Sequence, residues 1–134
     1  MQRAAKQPGR RSGFLSMELV LTLPILGLVL FAMFEFSLLL TARSSVVAAG
    51  RAGARKASLP GASEEAVRAE VRAALPPRLR DSARIHVHAG EHSGDVVMVR
   101  VMVPMTAAAP DLLWPIGYRL RGRTLNASSR MVRE

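Results

Sequence analysis

Three histidines, His86, His88 and His92, fall close together in the chain, with Ser93 and Asp95 beside them. Imidazoles at i,i+2 share one strand face and can chelate a divalent cation. No nearby carboxylate has a position that completes such a site, and exposed strand histidines are common, so no metal is assigned. Ser93, His92 and Asp95 hold the side-chain types of a nucleophilic triad, but nothing around them resembles a nucleophile elbow. The sequence therefore predicts no enzyme and no cofactor. A different chemistry comes from two acids, Glu18 and Glu35, in apolar surroundings. An unpaired acid at membrane depth costs about 2.5–3.5 kcal/mol on insertion scales. Such a group calls for a partner.

Both acids belong to one element. From Leu19 to Leu40 the chain reads LVLTLPILGLVLFAMFEFSLLL, with Glu35 as its one ionisable residue. Roughly 20 apolar residues in a helix cross about 30 Å of hydrocarbon. This helix is apolar on every face, and a protein of 134 residues could not easily bury it. That length also leaves room for one small domain and excludes a two-domain enzyme with its own cofactor fold. The absence of cysteine excludes disulfides, a thiol nucleophile and thiolate zinc. Nineteen Lys and Arg against ten Asp and Glu give a net charge of +9, which suits a phospholipid surface or a nucleic acid. The scattered bases and scarce aromatics argue against nucleic acid. A membrane is the better partner.

The segment before the span, MQRAAKQPGRRSG, carries Arg3, Lys6, Arg10 and Arg11 and no acid, which favours a cytoplasmic N-terminus. Arg43, Arg51, Arg55 and Lys56 follow the span closely, so charge counting alone leaves orientation open. A secretory signal would have an apolar core of about 7–15 residues and then a small-residue cleavage site. Here the run is longer and no such site follows it.

The order Ser12-Gly13-Phe14-Leu15-Ser16-Met17-Glu18 resembles the class III signal of type IV pilin-like proteins. The resemblance implies cleavage between Gly13 and Phe14 by a prepilin peptidase on the cytoplasmic side. The apolar helix then stays attached as anchor and assembly stem. A cut there frees an α-amino group on Phe14, about one helical turn from Glu18 or on a neighbouring subunit. That pairing would neutralise Glu18 and set axial register during assembly. Leu23-Pro24-Ile25-Leu26, Phe34-Glu35-Phe36, the run Ala48 to Arg55 and the tail Leu125 to Glu134 together resemble the TadE-like proteins of tight-adherence (Flp) pilus systems. The implied function is that of a minor pilin or pseudopilin, a structural and interaction protein. Its implied partners are other pilin-like subunits, the pilus assembly platform and the prepilin peptidase. The implied location is the bacterial inner membrane, single-pass, with the C-terminal domain in the periplasm; retention there and incorporation into the fibre both remain open. The competing expectation is a generic single-pass membrane protein whose extracytoplasmic domain binds an envelope ligand.

Glu35 lies about 32 Å along the helix from Phe14, near the far membrane boundary. Two roles are open there: a snorkelling boundary residue, or a contact with a basic group of another pilin-like subunit. Beyond the span, Thr41–Ser58 continues the helix, with Gly50 and Gly53 expected to weaken it and fray it near Gly53. Leu59-Pro60-Gly61 breaks it. Ser63 offers an N-cap for a helix with Val67, Val71 and Leu75 as its apolar stripe, stopped by Pro76-Pro77. Strand patterns follow at Ile85/Val87, at Asp95–Val103 and at Thr124–Val132. Met105–Tyr118 reads as a long connection, with Trp114 expected in the core or at a subunit or membrane contact. The predicted fold is α+β and membrane-anchored: a long transmembrane helical stem, then a small antiparallel sheet with one packed helix. Its divisions are a basic leader (1–13), a stem (14–58) and an extracytoplasmic α+β domain (59–134).

Overall fold

A computed structural model of the chain describes residues 11–133. Arg3, Lys6 and Arg10 of the basic leader, and Glu134 of the tail, lie outside the described residues. The first helix, α1 (Arg11–Ser58), is 48 residues long and runs unbroken through Pro24. It is followed by α2 (Glu64–Ala74), a short α3 (Pro77–Arg80), β1 (Arg84–His88), β2 (Val96–Pro104), a one-turn α4 (Met105–Ala108) and β3 (Thr124–Val132). The three strands form one antiparallel sheet in the order β1-β2-β3. This is the α+β arrangement expected from the sequence.

The central strand shows why the sheet folds. Val97, Val99, Val101 and Val103 are fully buried, one side chain in every two. β-Branched residues suit this pleated, one-sided burial. Register is fixed at both edges, with Val99 opposite Val87 of β1 and Ser129 of β3. A slip of one residue would turn all four valines to solvent. The inner face is covered by the second half of α1 and by α2, whose Val67 and Val71 are buried. Ser63 caps α2, its side chain accepting from the Ala66 amide at 3.2 Å. Glu64 and Glu65 occupy the first turn, where the helix dipole favours negative charge. Ser63→Ala should cost about 1 kcal/mol of domain stability by denaturant titration, with Ser63→Asp close to wild type.

α1 has two halves with opposite surroundings. From Glu35 onward one stripe faces the sheet and α2: Glu35, Leu39, Ala42, Val46, Ala49, Gly50, Gly53, Ala54 and Ala57 are all buried. Steps of three and four residues keep this stripe on one side of the helix. From Leu15 to Phe34 no residue is buried, and large apolar side chains such as Leu19, Leu23, Leu30 and Phe34 stand exposed. The helix does not fray at Gly53. It persists to Ser58 because the glycines sit where the neighbours come closest. A Cβ at Gly53 would overlap Val71 Cγ2 and stand 3.2 Å from Val99 Cγ1, and one at Gly50 would stand 3.3 Å from Ser129 Oγ. The intrinsic helix cost of glycine is offset by this close approach of α2 and the sheet.

Candidate functional site

The exposed half of α1 is the candidate site, with the two acids bracketing it. At about 1.5 Å per residue, Leu15–Phe34 extends roughly 30 Å, the thickness of a bilayer core. A soluble core helix would bury such a surface, and this one stands bare. A signal sequence removed after its apolar run would have to be cut from a continuous helix whose later half is the core of the sheet domain. The element fits a single-pass membrane protein.

Gly13 lies in the first turns of α1, exposed, and a Cβ placed there would meet nothing within 4 Å. The backbone of Phe14 follows in the same helix. Glu18 is exposed one turn further on. Its carbonyl accepts from Thr22 Oγ1 at 2.8 Å, but no salt bridge engages its side chain among the described residues.

Glu35 is different. It is 0% exposed, so the snorkelling boundary residue expected from the sequence is not what the fold builds. Its Oε2 accepts from the backbone amides of Leu112 at 2.7 Å and Leu113 at 3.2 Å. Its Oε1 is buried with no hydrogen-bond partner among the described residues. The reason for this burial is register: Glu35 lies four residues before Leu39 and seven before Ala42, on the stripe that faces the domain. A loop running back from α4 toward β3 closes over it. Converging backbone amides of a tight loop are a natural cradle for a carboxyl oxygen.

The loop that meets Glu35 is itself well tied. Asp111 Oδ1 accepts from the Leu120 amide at 3.3 Å. Trp114–Ile116 forms one 3-10 turn, ended by Gly117 at φ 89°, a conformation that favours glycine. Leu113 and Leu120 are buried beneath it. The Tyr118 ring meets Phe36 with centroids 5.8 Å apart, and the Arg123 guanidinium lies 4.9 Å over the Tyr118 ring. Trp114 is 60% exposed and Ile116 58% exposed, so the expected core role for Trp114 gives way to a surface one. Nothing local in the sequence marks Leu112, Leu113 or Tyr118 as partners of the stem. The turn residues Pro110, Asp111 and Gly117 were a local signal for a folded loop, but not for what it would touch.

His86 and His88 stand exposed on one face of β1. His92 Nδ1 lies 3.8 Å from Asp95 Oδ2, the histidine exposed and the aspartate half-buried, a surface pairing worth little to stability. Among the described residues no group of three His, Cys, Asp or Glu side chains gathers as a metal site.

The decisive segment is thus a bare helix that starts near Gly13 and becomes the domain core by residue 55. Residues 13–55 match the family model described as TadE-like protein. The matched segment contains Gly13, Phe14, Glu18 and Glu35, and spans the bare half of α1 together with most of its packed half. The sheet and the Glu35-binding loop lie beyond the matched residues. No curated protein and no solved structure matches the chain.

Proposed function

We propose that this protein is a minor pilin or pseudopilin that takes part in assembling a tight-adherence, type IV-like pilus. It is a structural and interaction subunit with no reaction of its own. The stem is inserted in the bacterial inner membrane, N-terminus in the cytoplasm and sheet domain in the periplasm. A prepilin peptidase cuts between Gly13 and Phe14, and the stem then packs against other pilin-like stems at the assembly platform. One observation carries this reading: Glu18 is a carboxyl with no ion-pair partner among the described residues, on a bare apolar helix, one turn from Phe14. A new α-amino group on Phe14 of the same or a neighbouring subunit would supply the missing charge. Gly13 adds support, because a glycine is unfavourable in a helix and no contact among the described residues requires one there.

Intact mass and N-terminal sequencing of the protein from membranes test the cleavage. The expected mature chain begins at Phe14 when the peptidase is present and at Met1 when it is deleted. A chain that keeps Met1–Gly13 in piliated cells would leave a generic single-pass membrane protein as the better description. Glu18→Val should insert normally yet lose most pilus yield; wild-type piliation with that variant would remove Glu18 from assembly.

A further inference from the structure

We propose that the Trp114-Pro115-Ile116 turn is a second membrane contact, seated in the headgroup layer of the leaflet where the stem leaves the hydrocarbon. The occupant is the phospholipid surface itself. Three observations place the turn there. The loop is bound to α1 at Glu35 through the Leu112 and Leu113 amides and at Phe36 through Tyr118. Those two stem residues directly follow the bare Leu15–Phe34 stretch, so the loop is held near the far end of the apolar helix, whose last large exposed side chains are Phe36 and Leu40. The turn exposes two large apolar side chains, Trp114 and Ile116, although Leu113 beside them is buried.

Charge agrees with position. Trp114 shares one recess with Arg119 and Arg121, both exposed. Asp111 also lines that recess, and its Oδ1 accepts from the Leu120 amide. Indole rings are favoured at the level of lipid headgroups, where the ring meets the upper acyl chain and the N–H meets water or phosphate. Arginines beside such a ring can bind lipid phosphate with fork-like geometry. The stem would then fix the depth of the domain, and the turn would fix its tilt and its rotation about the membrane normal. A single helix cannot set those two angles alone.

The chain contains one tryptophan, so its own fluorescence reports on this turn. The full-length protein is reconstituted in vesicles of phosphatidylcholine and phosphatidylglycerol, with matched vesicles whose lipids are brominated high on the acyl chain. The expected result is blue-shifted Trp114 emission, loss of most of it with brominated lipid, and weak quenching by aqueous acrylamide. Arg119→Glu combined with Arg121→Glu should reduce the bromine quenching while leaving the circular dichroism of the domain unchanged. Emission untouched by brominated lipid and freely quenched by acrylamide would overturn the proposal by placing the turn in water. Emission shielded from both quenchers would overturn it by placing the turn against protein, such as a second copy of this chain. Unchanged bromine quenching in the double arginine variant would overturn the phosphate contact. The proposal rests on Leu15–Phe34 crossing the bilayer, and alkaline carbonate extraction tests that separately. A chain washed out by carbonate has no span, whereas a retained chain with a water-exposed Trp114 fails this proposal alone.

Discussion

Glu35→Ala should free the loop between α4 and β3 from the stem and cost the domain about 2–4 kcal/mol. The Leu113 amide lies in a buried bond to Glu35 and the Leu112 amide in a partly buried one. Removing their common acceptor leaves both donors short of a partner, and each buried unsatisfied donor costs about 1–3 kcal/mol. The Leu112 amide retains a weaker acceptor, the Pro110 carbonyl at 3.1 Å, so its share is the smaller. Glu35→Gln keeps one carboxamide oxygen for the amides and should lose only about 1 kcal/mol. Hydrogen exchange at Leu112 and Leu113, alongside denaturant melts in detergent, reads both effects. Amides that exchange as slowly in Glu35→Ala as in the wild type would show that the carboxyl does not hold the loop.

Gly53→Ala should destabilise the domain by about 1–3 kcal/mol, against the direction of helix propensity. Alanine in place of glycine inside a helix gains up to about 1 kcal/mol when its methyl group is free. At Gly53 the methyl group meets Val71 Cγ2 and Val99 Cγ1, both on stiff β-branched side chains in fully buried positions. Neither can move without disturbing α2 or the central strand. Combining Gly53→Ala with Val71→Ala should recover part of the loss. Gly27→Ala is the control, because a Cβ there meets nothing within 4 Å. Thermal melts in which Gly53→Ala matches or exceeds the wild type would rule out the close approach of α2 to the stem.

What could be read from the sequence was whatever depends on near neighbours. The alternating valines of β2, the Ser63 cap and the apolar run of α1 announce themselves within a few residues, and the structure has each of them. Intrinsic propensity misjudges the glycines of α1, because their value depends on side chains of other elements, Val71 and Val99 at Gly53 and Ser129 at Gly50. Glu35 shows the same limit more sharply. Its partner amides lie 77 and 78 residues away, in a loop with no periodicity to indicate where it docks. The helical stripe itself was readable: Glu35, Leu39, Ala42 and Val46 recur at steps of four, three and four. The apolar neighbours of Trp114 leave core and contact surface both open, and the 3-10 turn decides for the surface by holding its ring outside Leu113.

The lack of any joint within α1 has a mechanical consequence. Anchor and cargo share a single shaft, so the azimuth of one dictates the azimuth of the other. Lengthening that shaft by a single amino acid between Phe34 and Glu35 would swing the entire sheet by about 100° around the axis. It would raise the sheet by only about 1.5 Å. Heading is therefore far more sensitive than height to the count of links, and any neighbour that reads one flank of the sheet is reading that count.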